Sequence, residues 1–105
     1  MRNIKLKLLT AAAIFAELGH PARLSIVKEL VKSGSDGVNT GKIGEKLNIP
    51  NSTLTHHIRR LESVGLIERE QIAQRLVCRM NAPLIKSLSH YLLDACCTQA
   101  KKKSC

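Results

Sequence analysis

The sequence predicts a mainly α fold with a small β component (α+β): about five helices and a two-stranded β-wing. Three observations predict it. Apolar residues fill 44% of the 105 positions but aromatics only 2%, so the core must be built from Leu, Ile, Val and Ala, a composition that favours packed helices. Apolar residues recur at helical spacing through most of the chain. One stretch, from Leu66 to Met80, reads instead as two short strands joined by a polar tip. A chain of this length is one domain, and a second subunit would extend its modest core.

The first helix is expected from about Ile4 to Leu18, where Ile4, Leu8, Ala11, Ala12, Phe15 and Leu18 keep helical spacing. Leu6, Leu9, Ala13 and Ile14 widen that stripe beyond one face, enough for two partners, the parent domain and another subunit. Gly19 and Pro21 interrupt it, and Pro21 suits the first turn of a second helix that runs to about Lys32 and buries Leu24, Val27, Leu30 and Val31. The run from Ser33 to Gly37 is a loop. A short helix follows from Thr40, the expected N-cap, to Leu47, with Ile43 and Leu47 inward. Asn48, Ile49 and Pro50 are too few for anything but a tight turn. The next helix starts near Asn51 or Ser52 and reaches about Val64, where Gly65 supplies a left-handed terminator. Two short helices around so short a turn form a helix-turn-helix, and the strands Leu66–Glu70 and Gln74–Met80 after them complete a winged form. A last helix runs from Pro83 to about Ala95, with Leu84, Ile85, Leu88, Tyr91, Leu92 and Ala95 on its stripe. Residues 1–97 are thus expected to form the DNA-binding and dimerisation domain, and residues 98–105 a mobile basic tail that carries a cysteine.

Charge points to the partner. Seventeen Lys and Arg against eight Asp and Glu give +9, a field that attracts polyanions, double-stranded DNA first. Leu54, Ile58 and Leu61 mark the inner side of the helix from Asn51, so Ser52, His56, Arg59 and Ser63 fall opposite, flanked by Thr55 and Arg60. Short polar groups at its N-terminal end, Asn51, Ser52, Thr53 and Thr55, bond base edges in a major groove, while His56, Arg59 and Arg60 reach bases or phosphate. At the wing, Gln74 and Arg75, with Gln71 and Arg79 beside them, would meet a neighbouring phosphate or minor groove.

The run from Leu18 to Leu24, then Ile43-Gly44-Glu45-Lys46-Leu47, the run from Ser52 to Leu61 and Val64-Gly65-Leu66-Ile67 resemble the ArsR/SmtB family of metalloregulatory repressors. The resemblance implies a winged-helix homodimer, paired through its first and last helices, that sits on an operator palindrome and leaves when a ligand binds. Many members carry a Gly-Arg turn at the wing tip, where this chain has Ile72-Ala73-Gln74-Arg75.

The family's ligand sites can be tested against these residues. Its Cys-x-Cys pair on the helix before the recognition helix is absent, since Asn39-Thr40-Gly41 stands there. Its zinc site along the last helix would have only His90 and Asp94. Cys96, Cys97 and Cys105 remain, and they resemble a subgroup of arsenic-responsive repressors with a vicinal Cys-Cys and a third Cys downstream. Arsenite and antimonite are thiophilic centres that take three sulfurs in a pyramid. Lys101, Lys102 and Lys103 favour thiolate over thiol, which eases both metalloid binding and oxidation. Arsenite or antimonite is therefore the expected inducer. A redox or sulfide sensor, or a zinc or cadmium sensor of the same fold, is the alternative. Cys78 falls in a strand and reads as a small buried hydrophobe.

Other classes fit less well. No spacing resembles a catalytic thiol and base, so an enzyme is not expected. Adjacent Cys96 and Cys97 argue for reduced thiols and a cytoplasmic protein. The basic start followed by apolar Leu8–Ala16 has the order of a secretory signal, yet its removal would take a helix that a small core needs. No apolar run is long enough to cross a membrane; an anionic membrane surface ranks behind nucleic acid as a partner for the charge, and no membrane partner is expected. A non-specific DNA-packaging protein would not need a helix with hydroxyls at its groove end.

Overall fold

The structure, a computed structural model, describes the backbone of residues 5–99 and the side chains of residues 5–94. Its elements follow in the order α1 (Leu8–Leu18), α2 (Pro21–Ser33), a 3-10 turn (Gly34–Asp36), β1 (Val38–Asn39), α3 (Thr40–Leu47), α4 (Asn51–Ser63), β2 (Ile67–Ile72), β3 (Arg75–Met80) and α5 (Ala82–Gln99). Five helices and a hairpin match the expectation. A third strand does not: β1 pairs antiparallel with β3, Val38 opposite Cys78 and Asn39 opposite Val77, so the sheet order is β1-β3-β2. Two residues have too little pattern to be read as a strand, and this one exists only because β3 offers its free edge.

Local chemistry sets the helix ends. The first helix starts at Leu8 rather than Ile4, with Lys7 extended before it. His20 caps α2, its Nδ1 accepting from the Ala22 N–H at 3.1 Å, and Pro21 opens the first turn. Asn39, not Thr40, caps α3, its Oδ1 accepting from the Gly41 N–H at 2.8 Å. That places the extended cap residue in β1 and lets Thr40 enter the helix. Asn48 ends α3 in the left-handed region (φ 57, ψ 48), a conformation asparagine tolerates better than most residues. Gly65 takes φ 81 just past α4, as its position predicts.

The core is aliphatic throughout: Ile14 from α1, Ile26, Val27 and Leu30 from α2, Ile43 from α3, Leu54, Ile58 and Leu61 from α4, Leu66, Ile67 and Cys78 from the sheet region, and Leu84 and Leu88 from α5. Each fully buried Leu or Ile stabilises the fold by about 1.5–3 kcal/mol. The α3–α4 pair packs closely because Gly44 has no side chain. A Cβ there would lie 3.1 Å from Leu54 Cδ2 and 3.2 Å from the Ile49 carbonyl oxygen. Asn81 joins two elements, its Nδ2 donating to the Gly65 carbonyl at 3.0 Å and its Oδ1 accepting from the Leu84 N–H at 3.2 Å, which caps α5.

Packing leaves part of the first and last helices uncovered. On α1 only Ala11 and Ile14 are buried, while Leu8 and Leu9 are 70% and 83% exposed. On α5 Leu92 and Leu93 are more than half exposed. On α2 Val27 and Leu30 are buried as expected, whereas Leu24 and Val31 face outward and Ile26 takes the core place instead. No described helix is long and apolar enough to cross a membrane.

Candidate nucleic-acid interface

Four side chains of α4 are buried: Leu54, His57, Ile58 and Leu61. At 100° per residue they fix the opposite side, and Ser52, His56, Arg59 and Ser63 stand there, all exposed. Asn51 and Thr55 turn toward the wing groove, and Arg60 toward α1. A groove of about 450 Å³ separates α4 from the hairpin, with Asn39, Thr40, Asn51, Thr55, Gln74 and Arg75 among the residues along it. Eight of the sequence-predicted contacts, Asn51, Ser52, Thr53, Thr55, His56, Arg59, Gln74 and Arg75, are thus exposed, and four of them, Asn51, Thr55, Gln74 and Arg75, line that groove. Asn39, the cap of α3, and Thr40, its first residue, join it unpredicted.

Arg60, the ninth, stands apart. Its Nε and Nη2 donate to Glu17 Oε1 and Oε2 at 3.1 and 2.7 Å, a two-bond fork that draws the guanidinium back onto α1. A sequence places Arg60 on the helix but gives no sign of a carboxylate 43 residues away. Arg79 is likewise engaged, with Glu70 Oε1 at 2.6 Å and the Ser35 carbonyl at 3.3 Å, rather than standing free as a wing cation. Arg69 bonds Glu62 through the same kind of fork at 3.1 and 2.8 Å, which pins the hairpin to α4 and holds the Arg69 charge firmly. Arg59 and Arg75 make no ion pair among the described residues, and both are exposed.

Behind the helix lies a polar cluster that sequence reasoning did not assemble. His57 is 5% exposed, and its Nδ1 accepts from Arg23 Nε at 3.1 Å. The His20 and His56 rings sit 4.6 and 5.8 Å from it, centroid to centroid. Burial, then the neighbouring His20, Arg23 and His56 charges, lower its pKa below the ordinary 6.5, so the ring is neutral. One signal was available: residue 57 is three after Leu54 and four before Leu61, on the buried row.

Cys78 is fully buried on β3, and burial pushes its thiol up to about 11. It packs as the small hydrophobe expected. Cys96 and Cys97 belong to α5 by backbone, but their side chains, and the whole of Cys105 and its tail, lie outside the described residues. Among the described residues no group of three His, Cys, Asp or Glu is placed to hold a metal, and His90 and Asp94 are both exposed.

A helix-turn-helix with a hairpin wing, an uncovered polar face on its second helix and cations at the rim defines a DNA-binding protein. Comparison with known proteins gives the family: a helix-turn-helix domain model matches residues 18–70, half of the chain, and the chain belongs to that family. It is 29% identical over 87 residues to the HTH-type transcriptional regulator YgaV of Escherichia coli (strain K12), which covers 83% of this chain and 86% of that one. Among solved structures it is similar to an ArsR family transcriptional regulator, RHA00566, with a TM-score of 0.76 over 95% of this chain and 100% of that one at 15% identity. It is also similar to the homodimeric winged helix-turn-helix domain of Mb0332 from Mycobacterium bovis, with a TM-score of 0.67 over 91% and 89% of the two chains at 19% identity. The fold is therefore that of ArsR regulators, and the chain is a helix-turn-helix transcriptional regulator.

Proposed function

We propose that this regulator is a repressor that binds operator DNA as a homodimer and is released when arsenite or antimonite bonds the thiolates of Cys96, Cys97 and Cys105. The observation that supports DNA reading most directly is the exposed polar face of α4 beside the wing groove. In this reading Asn51, Ser52, Thr53, Thr55 and His56 meet base edges, Arg59 meets guanine or phosphate, and Gln74 and Arg75 hold the adjoining backbone. Uncovered leucines on α1 and α5 support pairing of two copies through those helices, and the structurally similar Mb0332 domain is itself homodimeric. Two recognition helices then address half-sites roughly 34–36 Å apart.

The thiol proposal follows from donor chemistry: three cysteines within ten residues of sequence suit a soft pyramidal centre and not a hard cation. A ligand that ties the end of α5 to the tail acts on the pairing helix and so on half-site spacing, with a coupling of about 1–3 kcal/mol. The test is release from promoter DNA on titration with arsenite, antimonite, zinc, cadmium and an oxidant. Serine at all three positions is expected to leave DNA binding intact and abolish release by arsenite. Release that persists in that variant, or release by an oxidant alone, assigns the sensing elsewhere or to thiol oxidation.

A further inference from the structure

Glu17 is the penultimate residue of α1, and its side chain is only 13% exposed. One carboxylate there holds two guanidiniums from two other helices. Oε1 accepts from Arg23 Nη1 at 2.7 Å and from Arg60 Nε at 3.1 Å, and Oε2 accepts from Arg60 Nη2 at 2.7 Å. Arg23 is fixed in turn by its bond to His57 Nδ1. An isolated ion pair with a half-exposed partner such as Arg60 is worth little, because two long side chains must be ordered to make it. Here the carboxylate is already ordered by Arg23, so only Arg60 has to be placed. The fork then sets its direction.

Arg59 and Arg60 are neighbours with opposite circumstances. Arg59 stands on the outer face with its charge uncompensated by any described side chain, whereas Arg60 is turned toward α1 and neutralised. A free guanidinium at the rim of a groove binds whatever phosphate it reaches, and that adds affinity for every sequence alike. We propose that Glu17 is a specificity-determining residue of the DNA interface: it withholds Arg60 from phosphate and fixes the rotation of α4, so that the outer face rather than the flank meets the bases. The inference rests on α4 being the DNA-reading helix.

A preferred duplex selected from a random pool by the wild-type protein, and a scrambled duplex of the same composition, supply the probes. Affinity for both is measured against salt for wild type, Glu17→Gln, Arg60→Gln and the double variant, each checked for folding by circular dichroism. Glu17→Gln is expected to bind the scrambled duplex more tightly and to steepen the log-affinity against log-salt slope by about 0.9 for each recognition helix engaged. Its preference for the selected duplex should fall by about three- to tenfold. Adding Arg60→Gln should return the slope to the wild-type value, which a merely loosened fold would not do. A folded Glu17→Gln protein with unchanged slope and preference overturns the inference. So does a flatter slope in Arg60→Gln alone, because Arg60 would then be on phosphate in the wild-type complex; that variant keeps the Glu17–Arg23 pair and tests the point even where Glu17→Gln fails to fold. A pool that yields no preferred duplex overturns the DNA reading and this inference together, whereas the other two outcomes overturn this inference alone.

Discussion

Arg23 Nε donates to His57 Nδ1 at 3.1 Å across the α2–α4 contact, so the buried ring must keep that nitrogen unprotonated to hold the bond. Protonation would remove the acceptor and set a second cation against Arg23. The folded-state pKa of His57 lies below 6.5, chiefly because burial disfavours the cation. The unfolded chain therefore takes up the proton first as pH falls. The stabilisation is complete above the unfolded value and is lost as pH drops below about 6.5 toward the folded value. His57→Asn keeps an acceptor near the same place and cannot titrate. Urea unfolding from pH 7.5 to 5.0 should show wild type losing more stability on acidification than this variant, and parallel profiles would refute the assignment.

Cys78 is expected to be chemically silent. With no exposure and a thiol pushed up to about 11, it offers neither access nor thiolate at neutral pH. In protein with serine at Cys96, Cys97 and Cys105, iodoacetamide should label Cys78 only as fast as the fold opens. Cys78→Ala should cost about 1 kcal/mol through the small cavity it leaves. Rapid labelling under native conditions would show that β3 opens far more readily than its packing implies.

Periodic signals were the legible ones. Leu54, Ile58 and Leu61 fixed the orientation of α4 before any coordinates, because a stripe at three- and four-residue spacing permits only one inner side. The turn at Asn48–Pro50 and the stop at Gly65 were legible for the same local reason. Pairings between distant elements were not. β1 needs the edge of β3, Glu17 needs Arg60 from 43 residues on, and the cap of α3 fell to Asn39 because only the fold decides which of two adjacent polar residues is extended. Arg59 and Arg60 look alike in a sequence, and the tertiary partner alone separates them.

The wing tip carries a correctable strain. Ala73, first of the two residues between Ile72 and Arg75, takes φ 55, a conformation that costs a residue with a Cβ about 1 kcal/mol. Gln71 Nε2 donates to the Ala73 carbonyl at 3.2 Å and helps hold the turn. Ala73→Gly should raise stability by about 0.5 kcal/mol after the larger entropy lost by glycine, and Ala73→Val should lower it. Equal urea midpoints for the three proteins would mean the turn is not so constrained in solution.

The uncovered leucines of α1 and α5 predict the assembly. Leu9 at 83% exposure and Leu92 at 59% are too apolar and too clustered with Leu8 and Leu93 to stay in water at no cost. Wild type should sediment as a dimer. Leu9→Glu with Leu92→Glu should sediment as a monomer with unchanged helicity, since neither residue is in the core, and should lose at least about tenfold in affinity for a two-half-site duplex. A wild-type monomer at micromolar concentration would remove the pairing surface from the proposal.

Arg59 and Arg75 should fail in different ways, because one stands on the outer face of α4 and the other on the wing. Arg75 lies at the start of β3 on the rim of the wing groove, where a neighbouring phosphate comes within reach and no base edge need be read. Arg75→Ala should weaken selected and scrambled duplexes alike and reduce the salt slope by about 0.9 per wing. Arg59 stands with His56 on the outer face of α4, so Arg59→Ala should weaken the selected duplex more than the scrambled one, by about 1–3 kcal/mol if it pairs with a guanine. Measuring both duplexes across a salt series separates the two effects, since a lost base contact changes the preference and a lost phosphate contact changes the slope. The reverse pattern, with Arg75 setting preference and Arg59 only the slope, would mean that the wing rather than α4 reads the sequence.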